Sequence, residues 1–349
     1  MKNEFRCFRR VATNILALFA ILFFAGIARS ADEVRLTGSG ATFPFPIYAT
    51  WFKDYNRVHK DVQINYQGKG SGAGIKDLIN HTVDFAGSDA AMTDEEMAQV
   101  QEGVQLLPMT AGSIVLAYNL PGNSPGLKLS REAYSKIFLT QIKKWNDPLI
   151  ARDNPGMKLP DLDITIVRRA DASGTTFVFT KHLSAISEAW KMGPGAGLTV
   201  KWPESDKIVA APKNDGVTAT IRQTPGAIGY IEYGYAILAK VNMVSLENKA
   251  GKFVAPTAAS GSAALSHVKL PPDMRAWLPD PEGDDSYPIA TYTWLLFYKK
   301  YPDAKKASAV RDMVAYCLKD GQKIAEKMGY IPLPENVVQE VLKASANIK

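Results

Sequence analysis

The sequence predicts an α/β fold with parallel strands in its sheet. Strand-like and helix-like segments alternate through residues 33–89, and the same strand–loop–helix order returns at residues 164–190. A loop rich in glycine or hydroxyl residues joins strand to helix each time. This alternation is typical of sheets that contain parallel strands and carry helices on their faces.

The first unit starts with a strand predicted at residues 33–37 and a turn predicted at residues 38–43. A helix is expected next, because apolar residues recur at i, i+1, i+4, i+5 and i+8 and therefore share one helical face. These residues are Ile47, Tyr48, Trp51, Phe52 and Tyr55.

The second unit extends the pattern to βαβαβ. Residues 62–67 alternate apolar and polar side chains like a strand and lead directly into a glycine-rich segment at residues 68–74. The apolar positions that start the following helix are Ile75, Leu78 and Ile79. A short strand predicted at residues 83–87 then ends just before Asp89.

A third strand–loop–helix arrangement lies much later in the chain. Residues 164–167 predict a strand and residues 168–175 a polar turn. The apolar face of the helix that follows consists of Phe179, Leu183, Ile186 and Trp190. Further predicted elements are a strand at residues 114–118, an aromatic and β-branched segment at residues 287–298, and helices at about 305–319 and 337–346.

Residues 1–30 have the pattern of a cleaved secretory signal. Four basic residues lie among the first ten, and residues 11–28 are almost wholly apolar. Ala28 and Ser30 place small residues at the −3 and −1 positions of a signal-peptidase site, so Ala31 is the expected mature N-terminus. A single membrane anchor is the alternative, since about 18 mostly apolar residues are borderline for a span.

Removal of residues 1–30 changes the charge and the cysteine content. The segment holds five basic residues and one acidic residue, so the formal net charge falls from +6 to +2. A charge this small does not support a basic surface for nucleic acid. Cys317 is then the one cysteine left, so no internal disulfide can form and the core must stabilise the fold. The remaining length is sufficient for two domains.

Three loops each follow a strand and precede a helix: loop one (residues 38–43), loop two (residues 68–74) and loop three (residues 168–176). Ligands of open α/β sheets bind beyond the carboxyl ends of the strands, and a helix start offers unpaired N–H groups to an anion. The loops add side-chain donors at Thr42, Ser71, Arg169, Ser173 and Thr175. Because Ser, Thr, Gly and Asp are also ordinary helix caps, an anion site requires that the three loops converge.

Arg169 is followed two positions later by Asp171. A surface ion pair between them is one interpretation. The other is that Asp171 orients one edge of the guanidinium while another edge grips an oxyanion in bidentate fashion. The two interpretations are compatible.

Loop two also has the spacing of a dinucleotide-binding turn. Gly68, Gly70 and Ala73 fit G-x-G-x-x-G/A, and Asp89 follows 21 positions after Gly68, close to where a ribose ligand is expected. We reject a nucleotide site on context. That fingerprint serves the first strand and helix of its domain and needs no partner loops.

Catalytic motifs are missing from the sequence. The four histidines lie at none of the metal-ligand spacings, and no P-loop, G-x-S-x-G or H-E-x-x-H pattern occurs. Ser71 or Ser173 could be proposed as a nucleophile, but no nearby His or Lys pattern offers a base. We therefore expect no catalysis, no cofactor and no metal.

Eight motifs, in order along essentially the whole mature chain, resemble the periplasmic phosphate-binding proteins of bacterial Pst ABC transporters. The motifs are GSGATFP (38–44), NYQGKGSGAG (65–74), VDFAGSDA (83–90), KKWND (143–147), RRADASGTTFVFT (168–180), VKWP (200–203), NDGV (214–217) and PGAIGYIEYGYA (225–236). One departure is Gly72, where the family often has a second serine after the one that matches Ser71.

The resemblance implies a two-lobed periplasmic binding protein of type II, each lobe a mixed sheet flanked by helices, with the ligand in the interlobe cleft. Residues 31–112 and 288–349 are expected to form lobe I, and residues 113–287 lobe II. The residues that match the family's phosphate ligands are Thr42, Phe43, Ser71, Asp89, Arg169, Ser173, Gly174 and Thr175. Asp171 matches the partner of the arginine.

The resemblance also implies a function without chemistry. It predicts a periplasmic monomer that binds mono- and dibasic phosphate with high affinity and delivers it to an inner-membrane ABC permease. The alternatives are a receptor for sulfate or a phosphonate and a secreted phosphate-ester hydrolase that uses Ser71 or Ser173. Asp89 argues against sulfate, because a carboxylate can accept the P–OH proton of hydrogen phosphate and sulfate has no such proton.

Overall fold

The computed structural model describes residues 33–122, 125–266 and 268–349. The predicted signal peptide and its cleavage site lie outside these residues. Within them, no helix has the length and apolar character needed to cross a membrane.

The secondary structure alternates strands and helices through most of the described chain. The strands are β1 (Val34–Gly40), β2 (Val62–Gly68), β3 (Phe85–Ser88), β4 (Val104–Tyr118), β5 (Lys128–Leu129), β6 (Thr165–Arg169), β7 (Ile208–Ala211), β8 (Ala227–Glu232), β9 (Asn242–Met243), β10 (Ser245–Glu247), β11 (Phe253–Val254) and β12 (Ala290–Tyr298). The helices are α1 (Phe45–Val58), α2 (Ser71–Ile79), α3 (Asp94–Met97), α4 (Arg131–Phe138), α5 (Pro148–Asp153), α6 (Gly174–Ile186), α7 (Glu188–Met192), α8 (Lys213–Gln223), α9 (Tyr233–Ala239), α10 (Ala258–Leu265), α11 (Ala304–Lys319), α12 (Gln322–Ala325) and α13 (Glu335–Ser345). A 3₁₀ turn, Glu326–Met328, follows α12.

Over the described ranges, the strands form a nine-stranded mixed sheet and a small three-stranded sheet. The large sheet has the order β2-β1-β3-β12-β4-β8-β6-β7, with β9 added beside β4. β1 is parallel to β2 and β3, and β6 is parallel to β7 and β8. β12 is antiparallel to β3 and β4, and β4 is antiparallel to β8. The predicted α/β fold with parallel strands is confirmed.

β4 belongs to both halves of the large sheet. Its residues from Val104 to Ser113 pair with β12, whereas Ile114 to Tyr118 pair with β8. β4 therefore changes its pairing partner from β12 to β8 partway along its length. The fold has two lobes. The change lies beside the predicted lobe boundary between residues 112 and 113. That boundary and the one between residues 287 and 288 stay predictions.

The predicted turn at residues 38–43 is wrong in its first half, because β1 continues to Gly40. The strand is paired on both sides there, with β2 and with β3. The glycines that suggested a turn instead allow groups of the neighbouring strand β3 to pack closely against β1. A Cβ on Gly38 would overlap the Phe85 ring, and one on Gly40, whose φ is +139°, would overlap the backbone of Gly87.

β4 is also longer than the predicted strand at residues 114–118, since it begins at Val104. Pro108 looks like a strand breaker in the sequence, because proline cannot donate a hydrogen bond to a neighbouring strand. In the structure it pairs with Trp294 at a shift of register between Thr293 and Trp294. Such a bulge accommodates proline and redirects neighbouring side chains. One of those side chains, Thr293, belongs to the site described below.

The helix predicted after the first strand is confirmed as α1, and its predicted apolar face is buried throughout. Burial of large apolar side chains contributes about 1.5–3 kcal/mol for each one, so this face holds α1 firmly against the sheet. Its anchoring fixes loop one, which leads directly into α1. Cys317 on α11 is a free thiol, buried in the same core.

Candidate functional site

The three loops converge where the carboxyl ends of the parallel strands of both lobes face each other. The backbone N–H of Gly72 in loop two donates to the carbonyl of Ala172 in loop three, at 3.0 Å. A Cβ on Gly174 of loop three would lie only 2.6 Å from Oδ2 of Asp89, which follows β3. The convergence that an anion site requires is therefore present.

All eight residues predicted to hold the ligand lie at this junction, and all are buried. They are Thr42, Phe43, Ser71, Asp89, Arg169, Ser173, Gly174 and Thr175. Asp171, predicted as the partner of Arg169, lies at the edge with its side chain about 20% exposed. Whether these residues contact a ligand stays a prediction.

Loop one is held by two tyrosines that bind consecutive carbonyl groups. The hydroxyl of Tyr235 donates to the carbonyl of Thr42 at 2.7 Å, and the hydroxyl of Tyr330 donates to that of Phe43 at 2.8 Å. The carbonyl and the following N–H of a trans peptide point in opposite directions. Tyr235 therefore turns the N–H of Phe43 away from itself and fixes its direction.

Ser71 is the first residue of α2 and is fully buried. Its Oγ accepts a hydrogen bond from the backbone N–H of Asp89 at 3.2 Å and lies 3.5 Å from Oδ2 of the same residue. Gly70 precedes it with a φ of +99°, a conformation that glycine adopts without strain. This turn brings the start of α2 against loop three.

Asp89 is 1% exposed, and among the described residues the nearby Arg169 pairs with Asp171 instead. Thr293 Oγ1 donates to its Oδ1 at 2.8 Å, while Oδ2 faces Ser71 and Gly174. Burial raises the pKa of Asp89 to about 7, although the hydrogen bond from Thr293 and the charge of Arg169 oppose the rise. Asp89 is therefore a carboxyl group that can take up or share a proton near neutral pH.

Loop three starts α6 with a side-chain cap. Ser173 Oγ accepts from the N–H of Thr176 at 3.1 Å. The N–H groups of Gly174 and Thr175 lie in the first helical turn, where the helix provides no acceptor. Their partial positive charge favours an anion at this point.

Arg169 is buried and paired on one edge by Asp171. Its Nε donates to Oδ1 of Asp171 at 2.9 Å, and its Nη2 donates to Oδ2. Its Nη1 donates to Thr175 Oγ1 at 3.2 Å. Although burial raises the pKa of Asp171, the hydrogen bonds and charge of Arg169 hold it below its usual range. The pairing of Arg169 with Asp171 is present, but it is not a surface ion pair, because the guanidinium is buried. The interpretation in which Asp171 orients the guanidinium toward an oxyanion stays a prediction.

Asn214 is a residue of the site that the sequence prediction missed. It is fully buried at the start of α8 and contacts Thr42 and Thr175 through hydrogen bonds. Asn214 lies in NDGV, one of the motifs that carry the resemblance. This position was therefore included in the sequence analysis, but no role was assigned to it. Thr293, Tyr235 and Tyr330 were also missed. Each is far from the loops along the chain and looks like an ordinary strand, helix or loop residue.

A surface cavity of about 640 Å³ reaches Thr42. Three aromatic side chains line it: Phe45, Tyr66 and Tyr235. Lys69 and Lys213 line it as well, together with Asp215, so the charged side chains carry a small positive excess. Such a field favours the approach of anions.

Comparisons with known proteins agree with this geometry. The family model described as "PBP superfamily domain" matches residues 28–319. The chain is 39% identical over 328 residues to the phosphate-binding protein PstS of Pasteurella multocida, covering 93% of this chain and 94% of that one. It is 37% identical over 317 residues to PstS of Xylella fastidiosa, covering 90% and 85%. The chain belongs to the PstS family.

A solved structure supports the fold independently. The high-affinity periplasmic phosphate-binding protein PfluDING, solved with bound phosphate, superimposes with a TM-score of 0.74 at 23% identity. The match covers 88% of this chain and 93% of that one. The fold is that of the two-lobed periplasmic binding proteins, as the resemblance implied.

Proposed function

We propose that this protein binds inorganic phosphate between its lobes and delivers it to an inner-membrane ABC permease. The observation that carries the proposal is Asp89, a buried carboxyl group beside Ser71 of loop two and Gly174 of loop three. The PstS relatives support the same ligand, since their names describe phosphate-binding proteins.

The donors favour any tetrahedral oxyanion, whereas Asp89 selects among them. Hydrogen phosphate carries a P–OH proton that Asp89 Oδ2 can accept. Sulfate carries no proton, so an ionised Asp89 would face a second anion without a hydrogen bond. An unmade hydrogen bond to a buried charged group costs about 1.5–3 kcal/mol or more, and the repulsion adds to that cost. Sites that pair a ligand hydroxyl can reject analogues without it by up to roughly 10⁴-fold. Because the pKa of Asp89 is about 7, the rejection of sulfate should grow as pH rises above neutrality and the carboxyl group becomes ionised.

The electrostatics of the site strengthen this selection. Arg169 is the buried cation nearest to Asp89 in the described chain, and Asp171 already neutralises it. The anion is thus held mainly by neutral donors, so no excess positive charge offsets repulsion by an ionised Asp89. One proton shared between ligand and Asp89 removes the repulsion.

Calorimetry at pH 9, where Asp89 with its pKa of about 7 is ionised, compares phosphate and sulfate binding by wild type and Asp89→Asn and tests the proposal. We expect the phosphate-to-sulfate affinity ratio to fall by at least about tenfold in the variant, because an amide can donate to sulfate. Asp153→Asn is the matched control, since Asp153 is a buried aspartate that binds the N–H of Ser130 at 2.6 Å. Wild-type protein that binds sulfate within tenfold of phosphate would show that the acceptor argument is wrong.

We also propose that the protein binds without catalysing a reaction. Ser173 Oγ caps α6, and Ser71 Oγ bonds the N–H of Asp89. The buried His182 bonds Tyr134 and the carbonyl of Pro279, so it is engaged elsewhere. Turnover of a generic phosphate ester by metal-free protein would contradict this proposal and favour the hydrolase.

The cellular part of the proposal follows from residues 1–30. Cleavage before Ala31 would release a monomeric periplasmic protein with lobe I at residues 31–112 and 288–349 and lobe II at residues 113–287. Mass spectrometry of the exported protein tests the cleavage site, and the same measurement under native conditions tests for co-purified phosphate. A retained N-terminus would favour the membrane-anchor alternative.

A further inference from the structure

Asn214 binds residues of both lobes through an amide whose orientation the structure determines. Its Oδ1 accepts the backbone N–H of Glu232 at 3.1 Å, so its Nδ2 must face the opposite way. Nδ2 donates to Thr42 Oγ1 at 3.0 Å and to Thr175 Oγ1 at 3.3 Å. The backbone N–H of Asn214 adds a further hydrogen bond to Thr42 Oγ1 at 3.3 Å.

These contacts occupy the acceptor capacity of two threonine hydroxyls. A hydroxyl has one O–H to donate and two lone pairs that accept. Thr42 Oγ1 accepts both hydrogen bonds from Asn214, and Thr175 Oγ1 accepts one from Asn214 and one from Arg169 Nη1. Each hydroxyl then has only its proton left for a further hydrogen bond, so it can act only as a donor.

We propose that Asn214 is a positioning residue that compels the hydroxyls of Thr42 and Thr175 to donate to the bound oxyanion. The inference rests on the proposed phosphate function and extends it to a residue with no assigned role. Without Asn214 each hydroxyl can rotate and present a lone pair to the anion, which repels it. Without Asn214 the two hydroxyls could either donate or accept a hydrogen bond at the anion; with Asn214 they can only donate.

A double-mutant cycle measures this action. Thr42→Val and Thr175→Val are made in wild type and in Asn214→Ala, and phosphate affinities are measured by calorimetry. A hydrogen bond to a charged ligand corresponds to roughly tenfold or more in affinity, so each valine variant should lose about that much in wild type. In Asn214→Ala the same valine substitutions should lose less than about threefold, because the hydroxyls no longer donate reliably.

Asn248→Ala provides the matched control. Asn248 is equally buried, and its Nδ2 donates to the carbonyls of Gly283, Asp284 and Ser286, away from the site. We expect this variant to unfold at a lower temperature yet leave the losses caused by Thr42→Val and Thr175→Val unchanged. If Asn214→Ala does not fold, Asn214→Ser takes its place in the cycle.

Two results would overturn the inference in distinguishable ways. If wild type binds phosphate and the valine losses are the same with and without Asn214, Asn214 only supports the fold and the positioning role is wrong. If wild type binds no phosphate, the proposed function fails and this inference fails with it.

Discussion

The two sides of the cleft each contain an aspartate, Asp89 fully buried and Asp171 partly exposed, and the two carboxyl groups lie in opposite electrostatic environments. Asp171, on the side of β6, pairs with the guanidinium of Arg169, and its pKa lies below the usual range. Asp89, on the side of β3, has a threonine hydroxyl as its closest partner, and burial raises its pKa to about 7. The environment, not the residue type, decides which carboxyl group stays ionised.

Under the proposed function, this difference separates the two tasks that the site performs. The Arg169 side supplies attraction, because it brings a planar cation and the start of α6 to the same point. The Asp89 side supplies discrimination, because its carboxyl group suits ligands that bring a proton. Asp171 restrains the first side, since it neutralises the cation and prevents it from binding every anion strongly.

The largest effect should come from Arg169→Met, which removes the cation and leaves the partly buried Asp171 without its partner. We expect phosphate affinity to fall by roughly 10²-fold or more, since charge-assisted hydrogen bonds contribute about 1.5–3 kcal/mol each. Calorimetry measures the loss. The matched control is Arg131→Met, because Arg131 forms a similar two-bond pair with Asp280 elsewhere in the fold. Equal losses in both variants would show that Arg169 acts through stability alone.

The second effect concerns the pH dependence of sulfate binding, which tests the Asp89 side. Sulfate requires protonated Asp89, so sulfate binding takes up a proton whenever Asp89 is ionised in the free protein. As pH rises from 7 to 9, above the pKa of about 7, sulfate affinity should fall by up to about tenfold per pH unit. As pH falls below that pKa, the affinity should level off.

Phosphate and Asp89→Asn are the controls for this pH series. Wild-type phosphate binding should vary less, because the ligand brings its own proton. The affinity of Asp89→Asn for sulfate should not change between pH 7 and pH 9. A slope of the same size in the variant would show that another group titrates and that Asp89 does not carry the discrimination.

Much of the site could be predicted from the sequence because its three loops obey local rules. Strand patterns, glycine turns and helix starts place Thr42, Ser71, Arg169 and Ser173 at the carboxyl ends of strands whatever the rest of the chain does. The identity of Asp89 as the lone acceptor came from the resemblance and from ligand chemistry. Its raised pKa depends on tertiary burial, which no local pattern reports.

The residues that orient the loops could not be predicted in this way. Thr293 reaches Asp89 from 204 positions away, and Tyr330 reaches Phe43 from 287 positions away. The first pair depends on the register of β12 against β3 and β4, including the bulge opposite Pro108. The second depends on the segment after the 3₁₀ turn, where Ile331 forms a bridge with Ala111 of β4. The same non-local pairing explains why β1 and β4 extend beyond their predicted bounds, since neighbouring strands there compensate for glycine and proline.

The smallest effect should come from Gly72→Ser, which introduces the hydroxyl that the resemblance to the family implies at this point. A Cβ on Gly72 would lie 2.5 Å from the Cβ of Ala172, so the two sides of the cleft could not approach as they do here. We expect a loss of phosphate affinity of about tenfold, because overpacking costs roughly 1–3 kcal/mol, part of which relaxation recovers. Ala172→Gly removes the opposing methyl group and should restore most of the affinity in the double variant. No recovery in that double variant would mean that Gly72 is needed for its backbone rather than for the contact between the two sides.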